Sequence, residues 1–203
     1  MEIVEHELIR QSVFESFIDN IDNEVLIQEL QNFYFRNIGS SEKIYGFPDA
    51  GEQTHKLRLE IDARVMAISQ KQMFCRGCWM MAMNKQSSPV PQHSHKTNKQ
   101  LDPTEYYSFA YYPRAEDGAT PLNFVANYCN TMTSRISIPA ETGKLLVFNA
   151  YVEHYTDVNR SDSDRVCISG NYWPAQPNTE LRSDWGTYRS HIRTDSRQNI
   201  FSI

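Results

Sequence analysis

After residue 72 the chain consists of short segments rich in aromatic and β-branched residues, separated by proline, glycine and polar clusters. Segments of this kind predict β-strands joined by turns. Many short strands at this spacing are typical of a β-sandwich or a barrel. The predicted strands are Phe74–Met83, Tyr106–Tyr112, Leu122–Val125, Ser134–Ile138, Leu145–Asn149, Val152–Val158 and Arg165–Trp173.

The first 72 residues have a mixed pattern. Ser12–Ile18 predicts one short strand. Apolar residues then recur at helical spacing in Asn23–Arg36 and again in Thr54–Gln70, which predicts two amphipathic helices. We expect these helices to pack against the strands that follow them.

The length of 203 residues suits one domain that encloses its own core. Hydrophobic residues make up 40% of the chain and charged residues 22%, an ordinary globular balance. We expect a single domain over residues 1–203. In it, residues 1–72 pack on a β core of residues 73–174, and residues 175–203 form a C-terminal tail.

Charge and hydropathy argue against nucleic acids and membranes as partners. A net charge of −5 does not attract a phosphate backbone, which argues against nucleic-acid binding by bulk electrostatics. No stretch approaches the roughly 18 apolar residues that cross a bilayer. The N-terminal sequence is acidic where a signal peptide is basic and then apolar. We therefore expect a cytoplasmic protein that does not bind membranes.

Two of the four cysteines, Cys75 and Cys78, have CxxC spacing, which zinc sites and redox motifs share. No second pair at matching spacing occurs, and both thiols directly precede the apolar run Trp79–Met83. We interpret them as buried core thiols. Zinc binding and redox chemistry are the alternatives.

Three histidines form a candidate metal site. His93 and His95 are two residues apart, so on an extended segment their imidazoles point to the same side. His154 follows the apolar strand near Leu145 and provides a third imidazole. Imidazole ligands suit Fe(II), Zn(II), Cu(II) or Ni(II) and do not choose between them. The alternative is that these histidines are ordinary surface or core residues.

The last predicted strand alternates strictly in polarity. Val166 and Ile168 share one face, whereas Arg165, Cys167 and Ser169 lie on the other, followed by Asn171. A polar face suits either solvent or the interior of a barrel that holds a polar ligand. The donor fork of Arg165 matches a carboxylate.

The segment 136–154 resembles the Fe(II)/2-oxoglutarate-dependent dioxygenase superfamily, in its prolyl-hydroxylase-like branch. Its pattern of proline, glycine, aromatic residue and histidine consists of Pro139, Gly143, Phe148 and His154. Upstream, Pro91–His95 resembles the first metal motif of that branch, and Arg165 resembles its co-substrate anchor. The resemblance spans residues 74 to 174.

The resemblance implies a mainly β fold with flanking helices around a double-stranded β-helix, also called a jelly roll or cupin-like core. It implies Fe(II) as the metal and 2-oxoglutarate as the co-substrate of a C–H hydroxylation. The metal ligands would be His93, His95 and His154. Arg165 would anchor the co-substrate, assisted by Ser169 or Tyr107.

Two departures from the family pattern leave alternatives open. The superfamily usually has a carboxylate where His95 stands, so either His95 coordinates the metal or an acid such as Asp102 or Glu105 replaces it. Cys167 stands in place of a more usual serine or threonine. One alternative function is a cupin-type dioxygenase with a three-histidine site and no 2-oxoglutarate, and another is a non-catalytic β-barrel binding module. The substrate, a small molecule or a peptide, is not identified by the sequence.

Overall fold

The computed structural model describes residues 11–36, 46–95, 106–129 and 132–175. Within these residues the chain forms two helices and nine strands. The elements are β1 (Val13–Phe17), α1 (Asn23–Arg36), α2 (Glu52–Ser69), β2 (Met73–Met83), β3 (Val90–His93), β4 (Tyr107–Arg114), β5 (Leu122–Cys129), β6 (Met132–Ile138), β7 (Lys144–Asn149), β8 (Glu153–Thr156) and β9 (Arg165–Pro174).

The strands form two antiparallel sheets that face each other. One sheet has five strands in the order β1-β7-β4-β9-β2, and the other has four in the order β3-β8-β5-β6. Strands that are distant in sequence are therefore neighbours in both sheets, as in a jelly roll. This arrangement confirms the predicted mainly β fold with a double-stranded β-helix core.

The helices cover the outer face of the five-stranded sheet. Leu30 of α1 and Leu57 of α2 are fully buried there against Tyr111 of β4 and Ile168 of β9. We call this group of buried residues the helix-side cluster. Burial of each such side chain contributes about 1.5–3 kcal/mol, so the cluster holds the helices to the sheet.

A second apolar cluster fills the space between the two sheets. It includes Tyr112 of β4, Phe124 of β5, Phe148 of β7 and Cys167 of β9. We call this space the barrel interior. Since strand residues alternate between faces, β4 and β9 each contribute alternately to the helix-side cluster and to the barrel interior.

The structure confirms both predicted helices and every predicted strand, with changes at some ends. The segment around His93 was expected only to be extended, and it pairs as β3 with β8. Strand β8 is shorter than expected because Val152 lies in a turn, where its N–H donates to the carbonyl of Asn149 at 3.0 Å. The predicted tail over residues 175–203 lies almost entirely outside the described residues, and the single-domain organisation and the compartment stay predictions. None of the helices in the described part of the chain is apolar and long enough to cross a membrane.

Candidate active site

The three predicted metal ligands meet at one end of the barrel interior. His93 at the end of β3 pairs directly with His154 in β8. The backbone N–H of His95 donates to the carbonyl of Ala150 at 2.8 Å, which returns the chain towards the same point. One ligand atom from each of the three imidazoles lies within 4.8 Å of the others. This spacing allows all three to bind one metal ion.

Backbone carbonyls fix the tautomer of two of these imidazoles. Nδ1 of His93 lies 2.8 Å from the carbonyl oxygen of Pro91, and Nδ1 of His154 lies 3.0 Å from that of Val152. A carbonyl oxygen only accepts, so each Nδ1 carries the hydrogen and donates it. Nε2 of each ring then presents a lone pair, as a metal ligand requires.

Side chains from two strands fix the third imidazole. Nδ1 of His95 lies 2.6 Å from Oδ1 of Asn171 in β9 and 3.0 Å from Oγ of Ser108 in β4. The Ser108 hydroxyl itself donates to the same Asn171 oxygen at 2.7 Å. His95 therefore donates through Nδ1 to Asn171, which leaves its Nε2 available. Sequence reasoning placed Asn171 on the correct face but missed this contact.

Burial keeps the imidazoles of His95 and His154 neutral. Desolvation lowers the pKa of His154 to about 3. The hydrogen bond to Val152 has the smaller, opposite effect, because it favours the charged form. Desolvation likewise lowers the pKa of His95 to about 4, and the neighbouring His93 acts in the same direction. Neutral imidazoles at physiological pH need lose no proton to bind a metal ion.

Arg165 is a buried cation without a carboxylate partner in the described part of the chain. Only 1% of its surface is exposed. Its Nη2 donates to the hydroxyl of Tyr112 at 3.3 Å, and its guanidinium carbon lies 4.8 Å from the centre of that ring. Its Nε has no hydrogen-bond partner among the residues that the structure describes. A buried guanidinium in this state is costly, which indicates a place for an anion.

A short chain of contacts connects Arg165 to the histidines. Thr156 lies two residues after His154 on the same face of β8, and both side chains are buried. The Sδ atom of Met83 lies 3.7 Å from Oγ1 of Thr156 and 3.6 Å from Nη1 of Arg165. The guanidinium and the three imidazoles therefore face the same barrel interior at different depths.

Small side chains lie between these two groups on the five-stranded sheet. Ser169 pairs in register with Ala110, so both point into the barrel interior. The Oγ atom of Ser169 lies 3.2 Å from Sγ of Cys167, its neighbour on the same face. Short side chains therefore line the stretch of the five-stranded sheet between the imidazoles and Arg165.

The structure places the predicted co-substrate residue Tyr107 away from Arg165. Its side chain packs against the helix-side cluster, on the face of the five-stranded sheet opposite to that of Arg165. The tyrosine that contacts Arg165 is Tyr112, five residues further along the same strand. The period of two along a strand could have found this, because Tyr112 shares a face with Ser108. The alternative acidic ligands, Asp102 and Glu105, lie outside the described residues.

The CxxC cysteines pack where the sequence placed them. Cys75 and Cys78 contact the helix-side cluster, on the opposite face of the sheet from the imidazoles. Burial raises the pKa of the Cys75 thiol to about 12, so the thiol stays protonated. Among the described residues, the group with metal-ligand geometry is the histidine triad. These observations support the interpretation as core thiols.

A jelly roll whose interior holds three imidazoles and a buried guanidinium has the architecture of the non-haem metal-dependent oxygenases. Residues 77–171 match the family described as "Putative 2OG-Fe(II) oxygenase". Through this segment the chain matches a family of Fe(II)- and 2-oxoglutarate-dependent oxygenases, which are oxidoreductases. A sequence search among curated proteins finds no match.

Several solved structures have a similar fold. The α-ketoglutarate-dependent carbocyclase SnoK from nogalamycin biosynthesis is 11% identical, with 81% of this chain and 80% of that chain covered and a TM-score of 0.63. A Pseudomonas putida prolyl-4-hydroxylase is 11% identical, with coverages of 82% and 89% and a TM-score of 0.56. The epimerase SnoN in complex with Fe3+, α-ketoglutarate and nogalamycin RO is 15% identical, with coverages of 82% and 80% and a TM-score of 0.51. At these identities the likeness shows the fold.

Proposed function

We propose that this oxygenase hydroxylates a C–H bond of a small molecule, with Fe(II) held by His93, His95 and His154 and 2-oxoglutarate anchored on Arg165. The observation that carries the proposal is the buried guanidinium of Arg165, which has no carboxylate partner among the described residues. A dicarboxylate that binds the metal with one end and Arg165 with the other accounts for both features at once.

The imidazole cluster fits Fe(II). Three neutral nitrogen donors leave the remaining coordination positions open, as a non-haem iron oxygenase requires. Neutral ligands also leave the full charge of the ion uncompensated. A dianionic co-substrate then supplies the missing negative charge at the metal and at Arg165 together.

The residues around Arg165 fit the distal carboxylate of 2-oxoglutarate. The fork of Arg165 offers two parallel donors to a carboxylate, and the unpaired Nε is one of them. The Tyr112 hydroxyl accepts from Nη2 of Arg165, so its own hydrogen is available to the same carboxylate. Burial raises the pKa of Tyr112, which keeps this donor protonated. Ser169 contributes a hydroxyl between this end and the metal.

Bound Fe(II), together with 2-oxoglutarate and dioxygen, supplies the oxidising power, at the expense of decarboxylating 2-oxoglutarate to succinate. The chain orients these groups and keeps water out. The ring of Phe148 lies 4.9 Å from that of His154, and the ring of Phe124 lies 6.2 Å from it. These two aromatic side chains shield the inner side of the metal site from solvent.

The cupin-type alternative, in which the substrate alone chelates the metal, leaves Arg165 unexplained. A site without 2-oxoglutarate has no need for a cation buried to 1% exposure behind the imidazoles. The SnoN complex, which contains the small molecule nogalamycin RO, supports a small-molecule substrate over a peptide.

Turnover of the co-substrate tests the proposal. Protein loaded with Fe(II) should convert 2-oxoglutarate to succinate in air, slowly even without substrate. His154→Ala and Arg165→Met should each abolish this conversion. His55→Ala, at an exposed histidine on α2, should retain it and serves as the control. Equal succinate formation by all four proteins would refute the proposed site.

A further inference from the structure

We propose that the space between Trp79 and Gly77, beside His95, is the substrate subsite and that it holds a cyclic, C–H-rich group stacked on the Trp79 indole. The proposal rests on the function proposed above, because the group that occupies this space is the one presented to the metal. It adds the chemical class of the substrate and a residue that selects it.

Trp79 is an exposed indole at the metal end of the barrel interior. It pairs in register with Ser169, so it points inwards from β2, and its ring lies 5.6 Å from that of His95. Nevertheless 37% of its surface is exposed, whereas Met83 on the same strand and face is 1% exposed. The barrel interior therefore opens towards solvent at Trp79.

The position next to Trp79 on this face has no side chain. Gly77 pairs in register with Asn171, the residue that holds His95, so a side chain at position 77 would project to the same side. A Cβ atom built there would meet no atom of the described part of the chain within 4 Å. An open space therefore lies between Gly77 and Trp79, and the His95 imidazole forms its third side.

The shape and chemistry of this space favour a ring. An indole face offers a broad, rigid and apolar surface, which binds best to a flat partner or to the C–H face of a saturated ring. A sugar ring and a carbocyclic ring share that face. A flexible acyclic chain covers less of the indole and loses more conformational freedom on binding.

Paramagnetic relaxation tests the subsite without turnover. Protein loaded with Mn(II) and 2-oxoglutarate is mixed with methyl glucopyranoside or cyclohexanol, with 1-hexanol as the acyclic comparison. At least one cyclic probe should show enhanced proton relaxation, and 1-hexanol should show about tenfold less. Trp79→Ala should weaken probe binding about tenfold, and Trp79→Phe should restore most of it.

Gly77→Leu fills the space from the other side and should also abolish the enhancement. Phe17→Ala removes an exposed aromatic residue on β1 and is the matched control, with unchanged relaxation. Mn(II) affinity is measured for every variant by electron paramagnetic resonance. Failure of the wild type to bind Mn(II) would overturn the metal site and the subsite with it. If Mn(II) binds normally, three results would each overturn the subsite and leave the metal site intact. They are no enhanced proton relaxation of either cyclic probe, equal enhancement of 1-hexanol, and the same enhancement in Trp79→Ala as in the wild type.

Discussion

The Oδ1 atom of Asn171 accepts a hydrogen bond from Nδ1 of His95 at 2.6 Å. The other two imidazoles of the triad are held by backbone carbonyls two residues before them, so His95 is the ligand that depends on a distant side chain. Asn171 lies on β9, which also carries Arg165. One strand therefore positions both a candidate metal ligand and the candidate co-substrate anchor.

Asn171→Ala should lower the affinity for Fe(II) or Mn(II) about 10- to 100-fold, because loss of the acceptor frees the His95 ring to rotate. Titration of the metal-free protein with Mn(II) measures this. Asn171→Asp keeps an acceptor oxygen at the same position and should retain most of the affinity.

Asn123→Ala provides the control for that change. Asn123 on β5 is also a buried asparagine. Its side chain forms hydrogen bonds with Ser137 at 2.8 Å and with Asp157 at 3.4 Å. Its replacement should reduce stability without changing the metal affinity. Equal metal affinities for Asn171→Ala and the wild type would remove Asn171 from its positioning role.

Arg165→Met should stabilise the ligand-free protein by about 1–4 kcal/mol, because an apolar side chain of similar volume replaces a buried charge that has no counter-ion among the described residues. The same change should abolish the rise in melting temperature that 2-oxoglutarate causes in the Mn(II)-loaded protein. Thermal melting with and without 2-oxoglutarate measures both effects.

Arg114→Met is the comparison for this variant, since Arg114 forms an exposed ion pair with Glu24. That change should leave the ligand-induced rise intact. A ligand-free Arg165→Met protein that is less stable than the wild type would show that other contacts, and not a ligand, satisfy the buried guanidinium.

Substitutions of two adjacent tyrosines on β4 should have different effects, one on 2-oxoglutarate affinity and the other on the stability of the fold. Tyr112→Phe removes a donor to a charged carboxylate and should weaken 2-oxoglutarate binding by about 1.5–3 kcal/mol with metal affinity unchanged. Tyr111 faces the helices, where its hydroxyl donates to Asn23 at 2.7 Å. Tyr111→Phe should therefore reduce stability and leave 2-oxoglutarate binding unaffected. Calorimetric titration of the two variants checks the contrast, which the reverse pattern would contradict.

Substitutions at His95 decide whether it is a ligand. His95→Ala should weaken Mn(II) binding severely, because only two imidazoles remain at the site. His95→Asp should retain binding, since it restores the histidine and carboxylate set usual in the superfamily. Unchanged affinity in His95→Ala, measured by chelator competition, would place His95 outside the metal shell.

The sequence predicted the fold well because strand alternation and turn residues act locally. The alternation in β9 correctly separated Arg165 and Cys167 from Val166 and Ile168. The spacing of His93 and His95 predicted that their imidazoles share a side, and the structure brings both together with the imidazole of His154.

What the sequence did not predict depends on contacts between distant strands. The bond from His95 to Asn171 spans 76 residues, and that from Arg165 to Tyr112 spans 53. Local periodicity assigns each of these side chains to a face of its strand or extended segment, but the contact itself also requires the order of the strands in the sheet. Tyr107 lies on the helix-side face of β4, and the sequence alone did not show which tyrosine of that strand contacts Arg165.

The central claim is that one ligand binds both the histidine-held metal and Arg165. Anaerobic addition of Fe(II) and 2-oxoglutarate should produce a metal-to-ligand charge-transfer band in the visible region, which reports chelation of the 2-oxo acid by the iron. The band should disappear in His154→Ala, and in Arg165→Met it should require a far higher 2-oxoglutarate concentration. Iron binding without a band in the wild type, or a band in Arg165→Met at the wild-type concentration, would contradict the account.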